Sequence, residues 1–226
     1  MFKRKSVANI GLWLLCICMI TGGAMAQDKE IIELPEPDKA GQYSLGQLLQ
    51  QRRSLREYSS QSVSLAEVGQ LLWAAQGITD LRGFRTAPSA GALYPLELYI
   101  VVGNVSGLDS GVYRYQVRKH RLIQHLSGDK RKVLARAALS QNWLAEASVV
   151  FVFCADYKRT SIKYGKRAKR YVHMEVGHAA QNLFLQAEDL NLGAVVVGAF
   201  YDDDVSDLLE LPSQYEPLVL MPVGKK

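Results

Sequence analysis

Cysteine is scarce in this chain of 226 residues, which contains only three. Cys16 and Cys18 lie in an apolar N-terminal segment, so Cys154 is alone in the rest of the sequence. One cysteine can form neither an intramolecular disulfide nor a cysteine-based zinc site, and both are therefore excluded for residues 27–226. Cys154 follows an apolar run, residues 149–153, and this setting favours core packing over a reactive thiol.

The sequence also lacks the short motifs that identify several large enzyme classes. It has no Gly-x-Ser-x-Gly nucleophile elbow, no phosphate-binding P-loop and no Gly-x-Gly-x-x-Gly dinucleotide fingerprint. Glu175 and His178 have the i, i+3 spacing of one di-iron ligand pair, but the second pair and the two further helical glutamates are missing. We therefore expect no bound metal, and predict that Glu175, His178 and Asn182 form a partly buried, hydrogen-bonded face.

The N-terminal segment has the three parts of a secretory signal peptide. Lys3, Arg4 and Lys5 form a basic start, an apolar run covers residues 7–20, and Ala24-Met25-Ala26 provides small residues before a cleavage point. The apolar run is shorter than the ~20 residues of a membrane-spanning helix. We predict a signal peptide at residues 1–26 and export, to the periplasm, with no membrane span left after cleavage. An uncleaved N-terminal anchor remains the alternative.

Positive charge is also less abundant than the total suggests. The net charge is +5, but the predicted signal peptide carries three of the 27 basic residues and none of the 22 acidic ones, which leaves +2. Nucleic-acid binding therefore loses its main support. The remaining residues suffice for one domain with a core. We predict an extended lead-in at residues 27–41, where Pro35 and Pro37 lie, and a single domain at residues 42–226.

Capping signals and hydrophobic spacing predict most of the secondary structure. Ser44 and Ser64 are expected to begin helices, the second through a Ser-x-x-Glu capping box, and Gly77 to end the second helix. Further helices are expected at residues 129–139, 169–190 and 202–209, a hairpin at 111–126, and strands at 96–102, 149–153, 194–198 and 218–223. The order lacks a βαβ rhythm, so we predict an α+β fold with helices packed on a mostly antiparallel sheet.

Two segments contain residues that could bind a ligand. In the first, Arg52, Ser54 and Arg56 alternate, so in extended chain two guanidinium groups and a hydroxyl would point to one spot that suits a phosphate dianion. A solvated basic helix end is the alternative. The second, residues 85–95, is rich in small side chains that let the backbone approach a flat ligand closely. An ordinary loop is the alternative there.

Together these segments resemble the nitroreductase superfamily, whose members are FMN enzymes of α+β fold. The resemblance is closest to the branch of azoline-oxidising dehydrogenases from thiazole/oxazole peptide maturation, and it runs from about Ser44 to the C-terminus. Four motifs carry it in the family's order: Arg52-Arg53-Ser54-Leu55-Arg56-Glu57-Tyr58, residues 85–95 followed by Leu96-Glu97-Leu98-Tyr99, residues 177–183, and residues 193–200.

The resemblance implies FMN as the cofactor, bound at the interface of a homodimer. The phosphate and the ribityl chain would be held by Arg52, Arg53, Ser54 and Arg56. The isoalloxazine would be lined, across the interface, by Pro88, Ser89, Ala90 and Gly91. The backbone of Val197, Gly198 and Ala199 would lie along the opposite flavin edge, near N5. Family members often carry a basic residue after the last strand that returns to the phosphate, and the candidates here are Lys225 and Lys226.

The function implied is an FMN-dependent oxidoreductase of nitroreductase type with ping-pong hydride transfer. NAD(P)H is the expected donor, and a nitroaromatic, a quinone or a peptide-derived ring is the expected acceptor. The flavin supplies the hydride chemistry, so no protein group is assigned a catalytic role. The substrate pocket is expected to be walled by Phe84, Tyr94 and Phe200. Two alternatives are an exported flavin-binding or flavin-scavenging protein without turnover, and a structural envelope domain without cofactor.

Two further expectations concern the long helix. Azoline oxidation in the related branch is tied to a Lys-Tyr pair. Arg170-Tyr171 is the pair considered for a comparable place, but the lysine is absent, so azoline oxidation is not predicted. Gly177, Ala179 and Ala180 mark a helix face that permits the close approach of a second subunit.

Overall fold

The computed structural model of the chain describes Met1 and residues 30–226. Apart from Met1, the predicted signal peptide lies outside these residues, and its prediction stays a prediction. Within the described part of the chain, no helix combines the length and apolar character needed to cross a bilayer. The helices are α1 Leu45–Gln51, α2 Leu65–Gln76, α3 Arg131–Ala137, α4 Trp143–Glu146, α5 Tyr157–Tyr164, α6 Ala168–Asp189 and α7 Asp202–Leu208.

The centre of the fold is a seven-stranded sheet in the order β1-β6-β5-β3-β7-β9-β8, in which every neighbouring pair is antiparallel. A separate pair, β2 and β4, is parallel. The strands are β1 Ile31–Glu33, β2 Val63–Ser64, β3 Leu96–Val102, β4 Val105–Ser106, β5 Gly111–Gln116, β6 Arg121–Ser127, β7 Val149–Ala155, β8 Leu192–Ala194 and β9 Glu216–Lys225. The predicted α+β fold with a mostly antiparallel sheet is confirmed.

Helices cover both faces of the sheet. Strand side chains alternate between faces, so Phe151 and Phe153 of β7 enter the core under α2 and α6. Val152 and Cys154 enter the second core, under α3, α4 and α7. Cys154 is fully buried, and burial raises the pKa of its thiol, so the predicted core role is confirmed. Burial on both faces explains why β7 is a continuous apolar run rather than an alternating one.

Local signals located the main helices correctly. Ser44 and Ser64 both form capping boxes, with Gln47 and Glu67, and α2 ends at Gly77 as predicted. Helix α6 ends where Asn191 adopts a left-handed conformation, with φ of 55°. The lead-in is held against the domain, because β1 pairs with β6 and the Asp38 N–H donates to the Gln70 side chain at 2.8 Å.

Three expectations need correction. The strand predicted at residues 194–198 is observed as β8, which ends at Ala194. Beyond Ala194, Val197 pairs with β9 through a single bridge to Leu220. Helices α4 and α5 were missed by the hydrophobic spacing. Ala179 and Ala180 lie in the protomer's own core and cannot form a subunit interface, although Gly177 on the same helix is exposed.

Candidate functional site

The arginine segment, residues 52–56, leaves α1 as extended chain. Arg52 caps the helix with φ −48° and ψ 122°. Ser54 then forms a parallel bridge with Ala194 at the end of β8, and the Leu55 N–H donates to the Ala194 carbonyl at 2.8 Å. The segment is therefore extended chain, which is the condition under which Arg52, Ser54 and Arg56 were expected to point to one spot. The bridge to Ala194 fixes the segment against the edge of the main sheet.

The three arginines of this segment are held by rings and carbonyls rather than by carboxylates. The Arg52 guanidinium lies 4.6 Å from the centre of the Phe184 ring, and Arg56 lies 5.6 Å from that of Trp143. Arg53 donates to the carbonyls of residues 50 and 52. Within residues 30–226, no carboxylate lies within ion-pair distance of these three guanidinium groups. Their charge remains available for an anion, and guanidinium groups match a phosphate in geometry.

Residues 197–199, part of the fourth predicted motif, follow Ala194, the residue to which Ser54 is bridged. Val197 is buried and exchanges two backbone hydrogen bonds with Leu220 of β9, which fixes the backbone here. The Ala199 carbonyl accepts a hydrogen bond of 2.8 Å from the Gln141 side chain. Gln141 lies two residues before Trp143, whose ring Arg56 contacts. Gly198 is exposed, and a Cβ built on it would meet no atom within 4 Å. The backbone is therefore open to a flat ligand at this point.

The small-residue loop, residues 85–95, is fixed by three helices. Asn182 of α6 donates to the Thr86 carbonyl at 3.2 Å, as expected of the predicted polar face, whereas His178 is exposed and does not belong to that face. The Thr86 N–H donates to Gly77 at the end of α2, and Arg159 of α5 donates to the Tyr94 carbonyl. Gly91 has φ of +64°, a conformation that L side chains rarely adopt. The loop is thus an ordered structure and not a flexible connection.

Glu175 of α6 lies under this loop. Its side chain is 2% exposed, and the Ser89 hydroxyl donates to its Oε2 at 2.5 Å. Its Oε1 is buried without a hydrogen-bond partner. Burial raises the pKa of the Glu175 carboxyl to about 7, while the Ser89 hydrogen bond and the nearby Arg85 oppose the increase. The loop therefore rests on a carboxyl that can change its protonation near neutral pH.

The two groups of predicted cofactor residues lie on opposite sides of α6. Arg52 contacts Phe184, whereas Ser89 contacts Glu175, nine residues earlier. At 100° and 1.5 Å per residue, these positions point in opposite directions and are about 13 Å apart along the helix. The structure therefore brings the arginine segment and residues 197–199 together but holds Pro88, Ser89, Ala90 and Gly91 apart from them within one protomer.

The predicted pocket residues divide in the same way. Phe84 and Tyr94 lie in or beside the small-residue loop, with Arg82 over the Phe84 ring at 4.5 Å and Arg85 over the Tyr94 ring at 4.4 Å. Phe200 instead packs against the second core, next to residues 197–199. Phe84 is 42% exposed, so its ring is accessible to a ligand or to another chain.

The C-terminal lysines differ from the arginines because both are already paired. Lys225 Nζ lies 2.6 Å from Glu67 of α2, and Lys226 Nζ lies 2.8 Å from Glu188 of α6. Burial favours the neutral form of Glu67, but the bonds from Lys225 and Ser64 outweigh it and lower the pKa of the Glu67 carboxyl. To hold a phosphate, Lys225 would have to exchange this partner.

Lys163 and Tyr164 lie at the small-residue loop and were not predicted as site residues. A Cβ built on Gly91 would lie 3.0 Å from the Tyr164 hydroxyl and 3.1 Å from Lys163 Nζ. Tyr171, the tyrosine of the Arg170-Tyr171 pair, packs edge-on against Tyr164, with 4.9 Å between the ring centres. A Lys-Tyr pair, which Arg170-Tyr171 is not, is thus present seven residues earlier in the chain, as Lys163-Tyr164. The sequence signal was the Lys-Tyr dipeptide itself, at the end of a helix that hydrophobic spacing did not indicate.

Comparison with known proteins agrees with this geometry. The sequence model of the Nitroreductase family matches residues 49–225. A nitroreductase-type protein of Methanocaldococcus jannaschii is 48% identical over 195 residues, which are 86% of this chain and 96% of that protein. A nitroreductase-type crystal structure from Ralstonia eutropha superposes with a TM-score of 0.76 at 29% identity and covers 86% of this chain and 89% of its own.

More distant relatives represent two activities. An FMN reductase of Bacillus subtilis is 24% identical over 78% of this chain and 63% of its own length. A trifolitoxin-processing protein of Rhizobium leguminosarum is 32% identical over 48% of this chain, but that match spans only 30% of the relative. Flavin oxidoreductases and peptide-processing proteins are thus both among the homologues. On the family match and on the fold, the chain belongs to the nitroreductase family.

Proposed function

We propose that the protein is an FMN-dependent oxidoreductase that acts as a homodimer. One protomer would hold the phosphate and ribityl chain with Arg52, Arg53, Ser54 and Arg56, and residues 197–199 would line one flavin edge. The small-residue loop of a second copy would line the flavin ring. NAD(P)H is the proposed electron donor, as the names of flavin-reducing relatives suggest.

The observation that carries this proposal is the uncompensated charge of the arginine segment. Three guanidinium groups lie within five residues and have no carboxylate partner in the part of the chain described. A phosphate dianion would compensate this charge, and the Ser54 hydroxyl would be a further donor to it. The residues present therefore fit the phosphate end of FMN.

The position of α6 supports the homodimer. A single ligand bound to Arg52 would have to pass around α6 to reach Ser89 of the same protomer, since these residues contact opposite sides of the helix. A loop from a second copy removes this obstacle. The outward face of α6 is open to such a partner: Met174 is 55% exposed, and His178 and Gln181 are exposed beside it.

When bound, FMN supplies the hydride chemistry. The chain's own residues then have simpler tasks. The arginine segment binds and orients the phosphate end, and the ordered backbone around Gly198 and the small-residue loop fixes the ring between two surfaces. Lys163 and Tyr164 lie next to Gly91. They would donate a proton to a substrate on the ring or accept one from it.

The test is FMN affinity of the purified protein, measured by quenching of flavin fluorescence. A double substitution, Arg52→Ala with Arg56→Ala, should weaken FMN binding at least tenfold and leave riboflavin, which has no phosphate, nearly unaffected. Arg118→Ala, on the exposed turn of the β5–β6 hairpin, is the matched control and should change neither. Equal affinity for FMN and riboflavin in the unsubstituted protein would overturn the phosphate assignment.

The dimer is tested separately by sedimentation. Met174→Glu places a charge on the outward face of α6 and should give a monomer that no longer binds FMN. Val133→Glu, at an exposed position of α3, is the control and should remain dimeric. A Met174→Glu monomer that binds FMN normally would contradict a site shared between two copies.

A second candidate function follows from Lys163 and Tyr164. Oxidation of an azoline ring removes a hydride and a proton, so it needs a base beside the hydride acceptor, and this pair lies against the small-residue loop. The processing proteins of trifolitoxin and microcin B17 are relatives. Lys163→Met should abolish oxidation of a thiazoline-containing model peptide while FMN binding persists; Lys158→Met, exposed on the same helix, is the control. Turnover of the peptide by Lys163→Met would exclude this role.

A further inference from the structure

One buried carboxyl has no task in the proposed reaction. Glu175 lies between α6 and the small-residue loop, with Oε2 bonded to the Ser89 hydroxyl and Oε1 without a partner. The Ser89 oxygen also accepts the backbone N–H of Tyr94 at 2.9 Å. An ionised carboxylate that is 2% exposed and half satisfied is costly, so a reason for its presence other than packing is required.

The hydrogen-bond inventory of Ser89 shows what this carboxyl can control. A serine hydroxyl has one proton to donate and two lone pairs to accept with. Tyr94 occupies one lone pair. If Glu175 is ionised it can only accept, so Ser89 must donate its single proton to Glu175. If Glu175 is protonated it can donate to the second lone pair of Ser89, and the Ser89 proton becomes free for a ligand.

We propose that Glu175 is a positioning residue whose protonation decides whether Ser89 can donate a hydrogen bond to the bound flavin. This inference rests on the proposed function, since it places the flavin ring on Pro88, Ser89, Ala90 and Gly91. It goes beyond that function because it gives the cofactor site a proton-dependent donor that is controlled from inside the protomer.

The charged and titratable groups around Glu175 come from the small-residue loop, from α5 and from α6. Arg85 is the nearby cation, and it is fixed by a 2.6 Å bond to Gln76 and by the Tyr94 ring below it. Lys163 and Tyr164 of α5 lie beside Gly91 of the same loop. On α6 itself, Tyr171 and His178 are each one turn away.

The experiment measures the Kd of FMN from pH 5.5 to pH 8.5 for three proteins: unsubstituted, Glu175→Gln and Ser89→Ala. A phosphate monoester also titrates near pH ~6, so the informative quantity at each pH is the ratio of the variant's Kd to that of the unsubstituted protein. This ionisation belongs to the ligand and cancels in the ratio.

The two variants should differ at opposite ends of the pH range. Glutamine resembles the protonated acid, so the Glu175→Gln ratio should be near one at pH 5.5 and should fall to about one fifth at pH 8.5, the effect of one hydrogen bond. Ser89→Ala removes the donor, so its ratio should be about five at low pH and should decrease about fivefold by pH 8.5.

The outcomes separate this inference from the function on which it rests. An unsubstituted protein that binds no FMN at any pH overturns both. FMN binding with a ratio for Glu175→Gln that is independent of pH overturns the inference and leaves the function intact. If Glu175→Gln does not fold, Ser89→Ala on the loop surface decides, and a pH-independent ratio for that variant contradicts the inference equally.

Discussion

Replacement of the buried Glu175 by glutamine should stabilise the apoprotein, and more so as the pH rises. The pKa of the carboxyl is raised from its ordinary 4.5 to about 7, mainly by burial. Below pH 4.5 the group is protonated in the folded and unfolded states alike, and costs nothing. Between pH 4.5 and 7 the unfolded chain loses the proton and the folded chain keeps it, so the free energy of unfolding falls. Above pH 7 the full cost is present.

The size of the effect follows from the two pKa values. A difference of one pKa unit corresponds to 1.36 kcal/mol, so a change from 4.5 to about 7 gives about 3 kcal/mol at pH 8. At pH 5 most of this cost is absent. The advantage of Glu175→Gln over the unsubstituted protein should therefore grow by about 2 kcal/mol between pH 5 and pH 8. Any constant effect of the substitution on packing cancels in this comparison.

The assay is urea unfolding of the apoprotein at both pH values, followed by far-ultraviolet circular dichroism. Protein concentration is held constant, because dimerisation would make the midpoint depend on it. Glu57→Gln, at an exposed position, is the control and should change the free energy of unfolding by less than about 0.5 kcal/mol at either pH. An advantage for Glu175→Gln that is the same at pH 5 and pH 8 would refute the argument that this carboxyl is buried and protonated near neutrality.

Three further outcomes are expected. Ser64→Ala removes the capping box of α2 and should lower the free energy of unfolding by about 1 kcal/mol, whereas Ser59→Ala, which is exposed, should not; equal effects would mean that the cap does not contribute. Gly91→Ala forces a side chain into φ of +64° and towards Tyr164, so it should cost about 1 kcal/mol or more and weaken FMN binding; unchanged unfolding and FMN affinity would contradict an ordered loop at this point. Expression with the native N-terminus in a bacterial host should give periplasmic protein that begins at Gln27 by N-terminal sequencing, and cytoplasmic protein that begins at Met1 would exclude the signal peptide.

Features that depend on neighbouring residues could be predicted from the sequence. The caps at Ser44 and Ser64 involve side chains three residues apart, and α6 has a regular apolar spacing from Val172 to Ala187. The fold class followed from the order of such elements. By contrast, α5 buries only Thr160, so hydrophobic spacing gave no signal for it. The strand after Gly193 was extended too far because its end is set by pairing with β9, which local sequence does not encode.

The site could be predicted only in pieces. The arginine segment and residues 197–199 were found as motifs, and their proximity follows from the bridge between Ser54 and Ala194, which lie 140 positions apart in the sequence. The partner of Ser89 is Glu175, 86 residues away, and no local pattern connects them. Glu175 was noticed for its spacing to His178, whereas burial and a single serine contact give it its properties. Long-range pairing determines the chemistry of such groups.

The absorbance spectrum of the purified protein, after incubation with FMN and removal of free flavin, tests the central claim most directly. The account predicts protein-bound flavin bands near ~450 nm that bleach when NADH or NADPH is added without oxygen. Bands that persist with both donors would favour a flavin-binding protein without turnover. No bound flavin at all would contradict the account, since the arginine segment and the small-residue loop would then have no ligand.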